Sequence, residues 1–417
     1  MFKSSIEKTP RVLISGAGIA GTTLAFWLSK AGIPVTVLER YKEFRKEGQT
    51  VGVRQEALPI INWMGIKKEI MNLCTQEAGV KLVDSQNRAW ACFPQREDGS
   101  SFTAEIEILR SSLAKLIFDS CQNNIEYKFG ATIDSIEETE NAVRVTLAGD
   151  KTVFEYDMIV IAEGPLSRNR AKAFNEDIRA PLVRFNLYAI IFSYEQGSTD
   201  DEWARVYHMP KRRVLAVRPD GCSKVRAIAA YFDPSEETRF MASSKTPQAQ
   251  QKEYFINIFK DAGWESDKVM EGLRKANDLH IQEVSQVKAK TWSKGRVVLV
   301  GDSAYCPSPS TGLGTTAAIV GSYILACEIV QHKSDYRTAF SAYETTLRPW
   351  ISKIQKLRPG YPKPFFPNSI LGVYLFRIIM ALVAFVTNSK IFVFLQGISS
   401  FLSNSAKLQL PPPTCFE

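Results

Sequence analysis

Two short segments, far apart in the chain, carry residues whose types and spacing suit them to hold a dinucleotide. In the later one, RVVLVGDSAYCPSPSTGLG (296–314), an apolar run ends at Gly301 and Asp302 follows. A Pro307/Pro309 turn comes next, and Gly312-Leu313-Gly314 then opens a long apolar stretch. A carboxylate at the end of a strand accepts hydrogen bonds from polyol hydroxyls. The backbone amides of Leu313 and Gly314, backed by a helix N-terminus, stabilise negative charge on the edge of a ring. The earlier segment is Gly16-Ala17-Gly18-Ile19-Ala20-Gly21. There Gly16 allows a tight turn, Gly18 removes the side chain that would block a pyrophosphate, and Gly21 lets a helix pack close. Glu39, with Arg40 after it, ends the next apolar run about twenty residues on. A carboxylate there bonds ribose hydroxyls and repels a 2′-phosphate, so this loop suits FAD or NAD rather than NADP. Alone, the first loop does not separate FAD from NAD, and Asp302 alone reads equally as a turn or N-cap residue. Together they point to FAD, whose ribityl chain supplies the polyol.

These residues need elements to position them. RVLIS reads as a strand, GAGIAG as a turn, TTLAFWLSKAG as a helix closed by Gly32, and PVTVLER as the next strand. Residues 41–56 read as a loop, with Gly48 and Gly52 flanking Gln49-Thr50-Val51, and a helix is expected from about Glu56 through MGIKKEIMNL. Alternation over Val80–Phe93 suggests strands. Ile108–Cys121 has helical periodicity with Arg110 near its start, and AVRVTLAGDKTVFEYDMIVIAEG reads as a hairpin followed by a buried strand. Residues 181–235 hold β-rich runs separated by turn signals, one of them Asp220–Cys222, and Gln248–Asn277 reads as helical. The expected fold class is therefore α/β (α+β overall). A discontinuous Rossmann-like FAD-binding domain (1–75, 106–180 and 286–345) receives an inserted, mostly antiparallel β-sheet substrate domain (76–105 and 181–285). C-terminal helices (346–417) bridge the domains or lid the cavity.

Composition narrows the function classes. The 417 residues exceed one simple core, and the net charge of +8 is moderate and scattered, which favours anionic small molecules over nucleic acid. Seven widely spaced cysteines without a CxxC, and three distant histidines (His208, His280, His332), argue against a metal site or a disulfide framework. The expectation is a cytoplasmic monomer with no signal peptide, no metal and no nucleic-acid partner. Ile370–Phe385 and Ile391–Leu402 are nearly all apolar, yet both are shorter than the ~20 residues that span a bilayer. Packing on the body is the favoured reading over a span, and peripheral membrane contact stays open.

As a set, these motifs resemble the class A FAD-dependent aromatic hydroxylases, over roughly residues 10–340. The resemblance rests on GAGIAG, on Glu163-Gly164-Pro165-Leu166-Ser167-Arg168-Asn169-Arg170 in mid-chain, and on GDSAYCPSPSTGLG. It implies that Arg110 in ILRSSL touches the flavin, that Arg54 lies beside its ring, and that Gly164 and Pro309 join the cofactor site. Departures are Glu163 for the usual Asp, Tyr305 for a frequent His, Thr316 for Asn and Gly321 for Asp. GLGTTAAIVGSYILA and the apolar C-terminus look closest to the tetracycline destructases, in which a C-terminal helix helps shape the substrate cavity. No second GxGxxG is present, which fits transient binding of NADPH or NADH as electron donor.

The implied activity consumes O2 and hydroxylates a polycyclic phenol or enol through a flavin C4a-hydroperoxide, with tetracycline inactivation as the expected outcome. The chemistry would belong to the flavin, and no protein nucleophile is expected. A membrane-associated quinone-pathway or other aromatic or polyketide hydroxylase is the alternative, as is a non-catalytic flavin-binding protein that sequesters ligand. For substrate contacts, Tyr188, Arg205, Tyr207, His208 and Arg213 lie on or between strands of the inserted sheet.

Overall fold

RVLIS, PVTVLER and MIVIA become neighbouring parallel strands because their apolar runs must be covered on both faces. The computed structural model describes residues 9–389 and 408–416, apart from 45–48, 75–76, 96–105, 122–123, 198–199, 220–223 and 334. The Asp220–Cys222 turn, Gly48 and the Ile391–Leu402 run lie outside the described residues. A six-stranded sheet runs in the order Ser293–Lys294, Val297–Leu299, Met158–Ile161, Val12–Ser15, Val35–Glu39, Ile125–Phe129. All its pairs are parallel except the first. Val12–Ile14, Ile159–Ile161 and Val298–Val300 are fully buried, with the helices Ile19–Lys30 and Gly314–Gln331 packed together in the same core. The latter helix is apolar all round because it is buried all round.

Met158–Ile161 lies between the strands that end in GAGIAG and in Gly301-Asp302, so three chain-distant loops leave the same edge of the sheet. In α/β folds this edge is where ligands bind.

The inserted sheet has seven strands, in the order His280–Val287, Leu182–Glu195, Lys224–Phe232, Arg213–Pro219, Trp203–Met209, Gly79–Val83, Ala89–Pro94. It is antiparallel except where Trp203–Met209 meets Gly79–Val83, the pair that joins residues from two separate parts of the chain. The helices Gln248–Phe259 and Ser266–Lys275 cover one face through Phe255, Phe259, Val269 and Leu273.

Several element boundaries differ from expectation. The helix expected after Glu56 is two, Leu58–Met64 and Lys67–Asn72, broken at Gly65. Its φ of +76° ends the first helix. Thr50–Val53, expected as loop, is a strand paired with Ile106–Leu109, so the Ile108–Cys121 helix begins only at Arg110. The Gln248–Asn277 passage divides around Gly263. Beyond Tyr336–Ile354, the apolar helix Ile370–Asn388 lies across the open face of the seven-stranded sheet, with Phe376, Met380 and Ala384 packed against Leu82, Ala91 and Phe93. The terminal residues then return to the first core, where Phe416 meets Trp27 at 4.7 Å between ring centroids.

Candidate functional site

The glycine loop has the geometry its sequence demands. Gly16 sits at φ +112°, and a Cβ there would come 2.6 Å from the Ala162 carbonyl oxygen. A Cβ on Gly21 would come 1.9 Å from the Gly16 oxygen, so this glycine lets the helix seat on its own loop. Gly18, by contrast, faces open space, its ideal Cβ meeting nothing nearer than the Arg110 guanidinium at 3.8 Å. Ile19 and Ala20 begin the helix, and no side chain among the described residues caps it. An uncapped N-terminus with an open approach is a ready anion site. Glu39 lies at the loop as expected, its carboxylate accepting from the Ala17 amide at 3.1 Å and the Tyr41 amide at 3.1 Å. Arg40 instead lies exposed with its guanidinium over the Tyr41 ring, 4.9 Å from the centroid.

Asp302 begins the four-residue helix Asp302–Tyr305, directly after the fully buried Val300. Burial raises its carboxyl pKa, while the Arg110 charge and the Cys306 thiol draw it back down. Gly314 places its ideal Cβ 4.0 Å from the Asp302 Oδ1, and Gly312 places its own 3.4 Å from the Arg54 guanidinium. Gly18, Arg54, Arg110, Asp302, Gly312 and Gly314, drawn from four separate stretches of chain, thus border one cleft. Among the described residues no side chain caps the Gly314–Gln331 helix. The Leu313 amide is already held by Thr311 Oγ1 at 3.2 Å, so Gly314 and the first helical amides, rather than Leu313, are the better donors. Pro309 starts an exposed turn that Tyr361 ties down through a hydroxyl bond to Ser310. Gly164, at φ +87°, likewise faces open space.

A half-buried carboxylate beside one arginine, glycine-lined walls and two helix starts without side-chain caps among the described residues fit the pyrophosphate, ribityl chain and ring of FAD. Glycines at these positions leave room for a ligand where a side chain would fill it.

The departures in sequence have structural explanations. Glu163 accepts from Ser15 Oγ and Ser167 Oγ at 2.6 Å each, and also from the side chain and amide of Asn169. The longer carboxylate therefore clamps two loops together. Arg170 is fully buried and donates to the carbonyls of Pro165 at 2.9 Å, Ser303 at 3.0 Å and Ile178 at 2.6 Å. It ties the mid-chain motif to the Asp302 helix, a role its neighbours in sequence did not signal. Tyr305 and Gly321 compensate one another: a Cβ on Gly321 would fall 1.9 Å from the Tyr305 hydroxyl. Thr316 Oγ1 accepts from the Arg54 amide at 3.0 Å.

The expected substrate contacts need correction. Tyr188 and Tyr207 project into the core under the covering helices, and Tyr207 donates to the Ala262 carbonyl at 3.0 Å. Arg205 is taken by Asp200 at 2.7 Å and by Glu265, and Arg213 by Asp261 and the Ile258 carbonyl. Strand alternation puts these four on the face turned away from the cleft. His208 lies on the other face but stacks under Phe376 at 4.3 Å, and burial together with Arg377 pushes its pKa down to about 3. It offers no titratable group near neutral pH.

The sheet face turned from the covering helices is largely apolar. Ile191, Ile228, Ala216 and Val206 stand in register across four strands, with Ala189 and Ala230 one row on. On this same face Gln286 reaches the Pro307 carbonyl at 3.1 Å, and Arg218 bridges Glu77 at 2.6 Å and Glu107 at 3.3 Å, joining sheet and cofactor body. Tyr361 and Phe185, 5.0 Å apart, form an aromatic wall. Polar type alone does not mark these residues in the sequence; their signal is apolar residues at alternate positions of each strand.

Comparison with known proteins fits this geometry. The FAD binding domain family model matches residues 9–353. Monooxygenase CTB7 of Cercospora beticola is 33% identical over 379 residues, covering 88% of this chain and 90% of that protein. Among solved structures, tetracycline destructase Tet(55) superimposes with TM-score 0.77 at 25% identity, covering 98% of this chain and 99% of that one. Tetracycline destructase Tet(51) gives 0.75 at 26%, covering 97% and 99%.

Proposed function

The chain belongs to the FAD-binding-domain family and is a flavoprotein monooxygenase; from that premise we propose that it uses NADPH or NADH and dioxygen to hydroxylate a polycyclic phenol or enol of the tetracycline kind. One juxtaposition carries the proposal: the half-buried Asp302 carboxylate beside the exposed Arg110, with glycine-lined walls, and a largely apolar face of the seven-stranded sheet that Gln286 joins to the same loop at Pro307. A flat, largely apolar multi-ring substrate suits such a floor, with orientation left to a few polar groups at its margins.

Bound FAD would supply the redox chemistry, accepting reducing equivalents from the nicotinamide and activating oxygen. Asp302 would accept from ribityl hydroxyls, and Glu39 from the adenosine ribose. The amides of the Gly314–Gln331 helix would stabilise negative charge at the pyrimidine edge of the reduced ring. Arg54 and Arg110 would bring positive charge to the same cleft. The apolar floor, with Tyr361 and Phe185, would exclude water and hold an electron-rich carbon against the ring. The Ile370–Asn388 helix would close the far side of that cleft.

The similarity to the two tetracycline destructases supports tetracycline as the first substrate to try. Purified yellow protein should consume NADPH aerobically, faster with tetracycline than without, and mass spectrometry should find one added oxygen atom in the product. Unchanged tetracycline with unstimulated NADPH consumption would refute this substrate. Cytoplasmic placement and a monomeric state belong to the same proposal.

A further inference from the structure

The helix Ile370–Asn388, ILGVYLFRIIMALVAFVTN, has a single charged residue and no acid. That residue, Arg377, points inward: it donates to the His208 carbonyl at 3.1 Å and lies over the Tyr207 ring. The same inner face buries Val373 and Ala384 and packs Phe376 and Met380 on the sheet. The outer face is apolar, and its side chains are exposed among the described residues. Leu371 is 79% exposed, Phe385 78% and Ile370 72%, and Leu375, Leu382 and Ile379 continue the stripe. Large apolar patches of this kind on a soluble protein mark an interaction surface.

Charge marks one end of the stripe. The Lys363–Phe365 turn lies beside the helix through the Phe365–Phe376 contact, and Lys363 and Arg358 are exposed. Lys211 and Arg212 donate their backbone amides to the carbonyls of Asn368 and Pro367 at the helix start. The Lys211 ammonium is paired with Asp261 and the Arg212 guanidinium lies over Phe232, so the cations of the collar are Lys363 and Arg358. An exposed apolar stripe with a basic collar is the pattern of a helix lying in a bilayer interface, apolar side among acyl chains and cations at anionic headgroups. Residues 391–402, IFVFLQGISSFL, carry no charge.

We propose that the outer face of Ile370–Asn388 docks the protein on the surface of a lipid bilayer containing anionic headgroups. The helix lies on the membrane rather than crossing it, because its inner face is engaged along its length by the seven-stranded sheet. The proposal is independent of the substrate's identity.

The test is flotation of the full-length, FAD-loaded protein with two kinds of vesicle: pure phosphatidylcholine, and roughly seven parts phosphatidylcholine to three of phosphatidylserine. The wild type should float with both, and more strongly with the second. Leu371→Ser, Leu382→Ser and Phe385→Ser combined should weaken partition about 100-fold or more on both. All three side chains are exposed, and retained flavin absorbance checks the fold. Arg358→Glu with Lys363→Glu should weaken partition about 10-fold on the anionic vesicles only. Wild type that stays unbound overturns the proposal. If it is then monomeric, the chain's own residues 390–407 cover the stripe; if it dimerises in a concentration-dependent way, a second copy does. Equal flotation of the triple-serine variant overturns it as well.

Discussion

Gly321→Ala tests the packing that supports Asp302. The new Cβ would meet the Tyr305 hydroxyl at 1.9 Å, its Cζ at 2.9 Å and Leu347 Cδ2 at 3.0 Å, so the ring would have to retreat by more than about 1 Å to reach ordinary contact. It has little room: Tyr305 is 1% exposed, its ring lies 4.7 Å from that of Trp292, and its hydroxyl accepts from Tyr343 at 3.0 Å. Overpacking of a filled core costs about 1–3 kcal/mol, and replacing glycine by alanine in a helix interior returns about 0.5–1. The expected net loss is therefore about 1–2 kcal/mol, roughly a tenfold shift in the folding equilibrium. Because Tyr305 ends the short helix that Asp302 begins, its displacement should also weaken FAD binding. Tyr305→Phe alone should cost about 1 kcal/mol, since Tyr343 keeps its bond to the Leu299 carbonyl at 3.2 Å. In the double variant the hydroxyl clash is gone, so the two changes should fall short of additivity by about 1 kcal/mol. Urea unfolding of the four proteins, with FAD affinity from fluorescence quenching, measures both quantities. Additive losses, or a stable Gly321→Ala protein with unchanged FAD affinity, would show that the Tyr305–Gly321 fit does not support the site.

Asp302→Ala should weaken FAD binding by roughly 10–100-fold through loss of charge-assisted hydrogen bonds, measured by flavin release on gel filtration; unchanged occupancy would remove Asp302 from the site. Glu163→Gln keeps the shape but leaves several donors facing one oxygen and an amide nitrogen, and should cost about 2 kcal/mol in chemical denaturation. His208 is held neutral, with its folded pKa of about 3 below the ordinary value of 6.5. The unfolded chain therefore binds the extra proton first, and stability should fall as pH drops through 6.5 towards 3, by up to about 1.4 kcal/mol per pH unit. His208→Leu should flatten that part of the stability profile, and an unchanged slope would assign it to other groups.

Local sequence was enough wherever chemistry and backbone are set by neighbours in the chain. GAGIAG requires a turn too tight for side chains, Glu39 ends a strand that emerges at that turn, and Gly301-Asp302 sits where an apolar strand must stop. These patterns place the cofactor loops because sterics and strand length act within a few residues. Tertiary structure alone decided the rest. Which face of Trp203–Met209 meets the cleft depends on what covers each side of the sheet, and helices some fifty residues later claimed the face bearing Arg205 and Tyr207. The Glu163 clamp, the Arg170 tie and the exchange of space between Tyr305 and Gly321 join residues distant in sequence. Their meaning lies in distance and burial, quantities that a linear pattern of residue types does not carry.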